Sequence, residues 1–153
     1  MGGPAYVDNK VIEEFDNFYE RKFTSFSGIT YYNTEQYFQS KKCDDREFIE
    51  KILSLDDPGD ARSLGQECNL RADWENIKVK VMRRGNFYKF YRNKDLMKLL
   101  LSTNGSIIFK SSTDFWNKWN GKILEELRDF FKFHKGGDES SITRAYRLFP
   151  FSK

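Results

Sequence analysis

The sequence predicts an α+β fold: a single compact domain, mostly helical, with a small N-terminal β-hairpin or sheet. Three observations carry this prediction. Alternating and β-branched segments cluster before residue 33, with one more at 106–109. The remainder repeats apolar residues at spacings of three and four, the signature of helices with one buried face. Finally, 15 Phe, 8 Tyr and 3 Trp make up 17% of the 153 residues, which is core material that a disordered chain lacks.

Residues 1–11 read as a flexible leader, 12–134 as the domain, and 135–153 as a C-terminal tail able to dock on it. Lys22-Phe23-Thr24-Ser25-Phe26 alternates, Ser27-Gly28 is a turn signal, and Ile29-Thr30-Tyr31-Tyr32 is β-rich, so a hairpin is expected. Asn33 or Thr34 can cap a helix over about 35–42. Asp44 or Asp45 can cap the next, which carries Phe48, Ile49, Ile52 and Leu53 on one face. Pro58 suits the first turn of a short helix and Gly65 its end. A long helix is predicted over 72–92, with Trp74, Ile77, Val81 and Tyr88. Asn93 can cap another that contains Leu96, Leu99 and Leu100. Residues 106–109 read as a strand. A last helix is predicted over about 117–133, with Ile123, Leu124, Leu127, Phe130 and Phe131 as its stripe. The tail is polar, then aromatic (Tyr146, Leu148, Phe149, Phe151).

Charge and composition exclude several classes. The balance of 26 basic to 23 acidic residues, net +3, is too mild to name a partner. The basic residues between Glu75 and Asp95 are interleaved with Phe87, Tyr88, Phe90 and Tyr91. Such a stretch can hold phosphates and stack bases, or be a helix with a solvated basic side. No apolar run reaches membrane length, and the start lacks the pattern of a signal peptide, so a cytoplasmic protein is expected. Cys43 and Cys68 are expected to be reduced thiols. With His134 as the sole histidine, neither a zinc site nor a Ser-His-Asp triad is easily built, and no metal or cofactor is expected. His134 sits in a Lys-rich segment at a helix end, where capping is its ordinary role. No P-loop is present.

The informative segment is Thr34-Glu35-Gln36-Tyr37-Phe38-Gln39-Ser40-Lys41-Lys42. On a helix, Glu35, Phe38, Gln39 and Lys42 share a face. A carboxylate, an amide and an ammonium on the face of an aromatic ring suit either a charge pattern beside a core Phe or a site.

This segment resembles the central motif of the NADAR family of YbiA-like proteins, E-H-Y-F-Q-A-Q-K. Gln36 stands in place of the His and Lys41 in place of the second Gln. Phe15-Asp16-Asn17-Phe18 resembles the upstream F-x-N-F element, and Gly28-Ile29-Thr30-Tyr31 the strand before the helix. Ala61-Arg62-Ser63-Leu64-Gly65 resembles the A-x-x-[LM]-G turn. Trp74 with Val81-Met82-Arg83 resembles the family's W…V-M-R helix. Phe90 with Leu99-Leu100-Leu101-Ser102-Thr103 resembles its K-F…L-L-x-T element. Trp116 with Gly121…Leu124-Glu125-Glu126-Leu127-Arg128 resembles its closing stretch. The resemblance spans about residues 15–132. It departs where the family has a Gly-rich loop after the closing Trp. Here that loop is nearly deleted, and the usual Asn position falls on Lys118, with Asn117 or Asn120 as substitutes.

The resemblance implies N-glycosidases acting at the ribose anomeric carbon. The implied substrates are ADP-ribosylated guanine in DNA or RNA and phosphoribosylamino-pyrimidine intermediates of riboflavin synthesis. A non-catalytic ADP-ribose-binding module is the alternative that the shortened loop suggests. Breaking a C1′–N bond builds positive charge on the sugar, which a carboxylate stabilises, and Glu35 is that candidate. Lys42 or Lys41 can protonate the leaving base or attack C1′. Asn17 and Gln39 can orient hydroxyls. Tyr37, Phe38 and Trp116 are candidates for stacking on the base or for core packing, Arg83 for a phosphate, and Phe18 and Gly121 for substrate binding.

Overall fold

The computed structural model describes residues 2–153. Its strands are β1 (Ala5–Val7), β2 (Lys10–Ile12), β3 (Phe23–Thr24), β4 (Thr30–Tyr31) and β5 (Ile108–Phe109). Its helices are α1 (Thr34–Ser40), α2 (Arg46–Leu53), α3 (Pro58–Gly65), α4 (Trp74–Arg92), α5 (Lys94–Ser102), α6 (Asp114–Phe133) and α7 (Glu139–Leu148). This is the expected α+β architecture. Strands β2-β1-β5 form one antiparallel sheet, and β3-β4 form the hairpin expected at Ser27-Gly28. Among the described residues, no helix is long and apolar enough to cross a membrane.

Local chemistry sets the boundaries. Asn33 caps α1, its Oδ1 accepting from Gln36 N at 2.8 Å. Asp45 caps α2, and Asp57 caps α3 with Pro58 in the first turn. Asn93 stands at the start of α5 but does not cap it. Its amide instead donates to the Lys22 and Lys89 carbonyls.

Three segments differ in secondary structure from the sequence reading. Residues 5–11 of the expected flexible leader form, together with Ile12, a hairpin that turns at Asp8 and Asn9, with φ of 52° and 63°. Asp and Asn tolerate this left-handed region, and a turn of that hand matches the twist of paired strands. The tail forms α7, which is capped by Asp138 and docked through buried Ile142. Helix α6 also starts three residues before its expected first residue. Thr113 Oγ1 accepts from Trp116 N at 3.3 Å, so the residues of the shortened loop become helix.

The core lies between α4 and α6, flanked by α1, α5 and the small sheet. Phe87, Phe90, Phe130 and Phe131 are at most 1% exposed. Burying each contributes roughly 1.5–3 kcal/mol. Helix α1 is unusual because all seven of its residues are buried, five of them polar.

Candidate active site

Helix α1 is placed by backbone and amide contacts rather than by an apolar stripe. Glu35 N donates to the Asn17 carbonyl at 3.0 Å, which ties the first turn of α1 to the 15–18 segment. Gln36, where the family motif has His, is a structural bolt. Its Nε2 reaches the carbonyls of Ile52, Leu53 and Leu55 at 3.2, 3.2 and 2.6 Å, and its Oε1 accepts from Tyr32 N at 2.8 Å. These bonds satisfy carbonyls that the end of α2 leaves open.

The adjoining side of the helix carries the candidate chemistry. Glu35 and Gln39 are both fully buried, and Gln39 Nε2 donates to Glu35 Oε1 at 2.7 Å. Glu35 Oε2 and Gln39 Oε1 have no partner among the described residues. A Cβ on Gly65 would run into the Gln39 amide oxygen, so this close approach of α3 to α1 requires glycine. Burial pushes the Glu35 carboxyl above the usual carboxylate range. The Gln39 hydrogen bond and the Lys42 and Arg62 charges act the other way. Burial also lowers the Lys42 ammonium, against the Glu35 charge, which raises it.

Beside them lies a line of three buried amides. Asn86 Nδ2 donates to Asn17 Oδ1 at 3.1 Å, and Asn17 Nδ2 donates to Asn120 Oδ1 at 3.2 Å. Asn120, not Asn117, therefore joins the site, while the Asn117 amide brackets Ser112 through its N–H and carbonyl. Asn86 was not foreseen. Its signal was an Asn of poor helix propensity set mid-helix among aromatic residues.

A cleft of about 700 Å³ opens nearby, lined by Phe18, Arg62, Lys78, Phe115 and Trp116 among others. Trp116 connects it to α1, since its ring meets Phe38 edge-on at 5.2 Å, and the Arg62 charge acts on both Glu35 and Lys42. Arg62 makes no ion pair among the described residues, whereas Lys78 pairs with Glu75 at 2.6 Å.

The other expected residues are placed elsewhere. Tyr37 packs against Tyr31, Phe23 and Tyr88 in the core. Phe38 lies between Trp74 and Trp116, so only its neighbour Trp116 reaches the cleft. Lys41 sits over the Tyr37 ring at 5.2 Å, and Lys42 alone of the two acts on Glu35. Arg83 is held by Glu126 at 3.3 Å and the Ser152 carbonyl at 2.9 Å. Gly121 faces the Ile107 carbonyl, where any side chain would collide, so it permits α6 to meet the β5 segment. The basic, aromatic stretch is not an open stacking surface. Phe87, Tyr88, Phe90 and Tyr91 are buried, and Lys89 and Arg92 are engaged within the fold.

A buried carboxylate, an amide cluster and an ammonium thus meet near an open cleft on an α+β scaffold. The NADAR domain profile matches residues 6–132, and the chain belongs to this family. It is 31% identical over 134 residues to the N-glycosidase YbiA of Shigella flexneri serotype 5b, covering 80% of this chain and 83% of that protein. It is 32% identical over 130 residues to a riboflavin biosynthesis protein of Vibrio vulnificus, covering 77% of this chain and 35% of that one. The NMR structure of the Escherichia coli protein YbiA superposes with a TM-score of 0.74 at 27% identity, over 83% of each chain.

Proposed function

We propose that this chain is an N-glycosidase that cleaves the ribose C1′–N bond of ADP-ribosylated guanine in nucleic acid. The observation that carries the reading is Glu35 Oε2, a fully buried carboxylate oxygen with no partner among the described residues. Nearly all buried polar groups are satisfied, so an orphaned carboxylate oxygen is suited to a ligand. As C1′–N breaks, the ionised Glu35 stabilises the positive charge on the ribose. It then takes a proton from the water whose oxygen bonds to C1′. The bonding pair leaves with the base nitrogen, which is protonated by Lys42. Proton return from Glu35 to Lys42 resets the site. Gln39 and the amides of Asn17, Asn86 and Asn120 orient ribose hydroxyls. Phe18 and Trp116 flank the base, and Arg62 pairs with a phosphate in the cleft. The volume of about 700 Å³ is ample for a ligand the size of ADP-ribose.

A second reading, hydrolysis of a phosphoribosylamino-pyrimidine intermediate, is favoured by the riboflavin biosynthesis name of the Vibrio relative. The test incubates the protein with a guanine-ADP-ribosylated oligonucleotide and, in parallel, with the pyrimidine intermediate. Products are read by mass spectrometry, with Glu35→Gln as control. Release of ADP-ribose from the oligonucleotide is expected. Release only of ribose 5-phosphate from the small intermediate replaces the first substrate with the second. No release from either, with ADP-ribose still bound, makes the protein a reader of the modification.

A further inference from the structure

The C-terminal segment builds a second cavity that shares no lining residue with the cleft. It encloses about 370 Å³ between α4 and residues 146–153. The segment lies outside residues 6–132, so one wall of the cavity is built by chain beyond the matched family domain and the other by α4 within it.

Five cationic side chains line it: Lys80, Arg83, Arg84, Arg147 and Lys153. The carboxylate at hand is Glu126, which is already engaged. Its Oε1 accepts from Arg83 at 3.3 Å, and its Oε2 accepts from Ser152 N at 2.7 Å. Lys80, Arg147 and Lys153 form no ion pair among the described residues. This differs from the rest of α4, where Lys78 pairs with Glu75 and Arg92 with Glu139.

Two of the guanidiniums are held in place by rings. Arg83 lies over Phe151 at 4.9 Å, and Arg84 over Tyr146 at 5.1 Å. Stacking occupies the faces of the guanidiniums, and one Nη of Arg83 already donates to Glu126 and the Ser152 carbonyl, so the remaining N–H groups are the binding groups. Arg83 is 3% exposed, and its Nε has no partner among the described residues. A buried donor without an acceptor is costly, and five converging cations repel one another. Both costs are relieved by the same kind of ligand. With the rings already covered, that ligand is recognised by charge and by forked hydrogen bonds, which is phosphate chemistry. One phosphate does not use five cations.

We propose that this cavity is a second binding site, specific to the C-terminal segment, for two or more adjacent phosphate groups. Two sources share that chemistry, a nucleic-acid strand and a nucleoside diphosphate. The proposal does not rest on the glycosidase reading, because it is tested by binding without turnover.

The test uses fluorescence anisotropy with an oligothymidylate of about 15 nucleotides, near the upper size of a single-strand site. Calorimetry with ADP runs beside it. The variant is Lys80→Ala/Arg147→Ala; both side chains are exposed and unpaired, so the melting temperature should not move. Lys10→Ala/Lys98→Ala removes the same charge from exposed positions elsewhere. Wild type should bind the oligonucleotide, and the first variant should bind it at least about tenfold more weakly. Its log–log salt slope should fall by about 1.4, at roughly 0.7 for each single-strand phosphate contact. The control variant should lose far less. Binding of ADP alone, weakened by the same variant, supports the site and assigns it to a free diphosphate. Binding of neither probe, or equal losses in the two variants, overturns the proposal.

Discussion

Helix α1 and the seam between α6 and the C-terminal segment are both buried, and they bury opposite materials. The seam is aromatic. Phe130 meets Tyr146, Phe149 and Phe151 with ring centroids 5.3–5.9 Å apart, in edge-on and tilted arrangements. Helix α1 buries Thr34, Glu35, Gln36, Gln39 and Ser40. Five buried side-chain polar atoms lack a partner among the described residues. Three of them are in α1, and a fourth, Asn86 Oδ1, belongs to the adjoining amide line. The fifth is Arg83 Nε, in the cavity of the tail.

Packing alone explains the seam. It does not explain α1, where one glutamine makes four hydrogen bonds and another, one turn on, is left half-satisfied. Gln36 holds the fold together. Glu35 Oε2 and Gln39 Oε1 have no partner among the described residues, which costs stability unless a ligand uses them.

The largest effect expected from breaking this contrast is on the α1 side. Glu35→Gln keeps the shape and the neutral form of the side chain but removes its charge. Turnover should fall at least about 1,000-fold, roughly 4 kcal/mol of transition-state stabilisation. The melting temperature should hold or rise, because a buried charge is removed. Undiminished turnover removes Glu35 from the mechanism. Because burial raises the Glu35 pKa, the acidic limb of the kcat/KM profile should lie above the ordinary carboxylate range. The same shift costs stability as pH rises from the unfolded value through the folded one.

Phe130→Ala should invert the pattern. It opens the seam and should cost about 3–5 kcal/mol in denaturant unfolding. At temperatures where the variant is folded, kcat should stay near wild type. A large kcat loss in the folded variant would tie the seam to the site and dissolve the contrast.

A smaller effect is expected at Gly65→Ala. Its Cβ would meet Gln39 Oε1, Cδ and Cβ, so rotation of the amide alone does not relieve the clash. The Gln39–Glu35 bond should be displaced, with kcat down about tenfold, or roughly 1.4 kcal/mol. An unchanged kcat would show that Gln39 is not part of the working geometry.

Much of this contrast was legible in the sequence. Glu35, Gln39 and Lys42 fall on one face by helical spacing, and the motif order around them is dense. Tyr37 and Phe38 could not be separated from site residues that way. Both flank the same motif, and only the aromatic residues contributed by β3, β4 and α4 show that Tyr37 faces the core. The partners of Arg83 were not legible, because they are 43 and 69 residues away, a distance that periodicity does not span. The β1–β2 turn was readable. Asp8-Asn9 between Ala5-Tyr6-Val7 and Lys10-Val11-Ile12 is a hairpin signal, masked by the Gly-Gly-Pro start.

Lys89 sharpens the comparison with the smallest effect. It is fully buried on α4, and its Nζ donates to the Asp16 carbonyl at 3.0 Å, next to the segment that carries Asn17. Burial lowers its pKa to about 7, with the Asp16 and Glu14 charges opposing. Between that value and the model-compound value of 10.5, the unfolded chain holds a proton that the folded chain has released. Through Lys89 stability should therefore rise with pH above about 7, by at most about 1.4 kcal/mol per pH unit, and the lowered Lys41 and Lys42 add to the slope in the same sense. The rise should end near pH 10, where Tyr37, whose pKa burial pushes upward, begins to favour the unfolded state. Denaturant unfolding from pH 7 to 10 reads this slope directly. Lys89→Met should flatten it while kcat changes little, because the ammonium touches a backbone carbonyl and not the cleft. If kcat instead falls with the slope, Lys89 belongs with the polar cluster of α1 and acts through the position of Asn17.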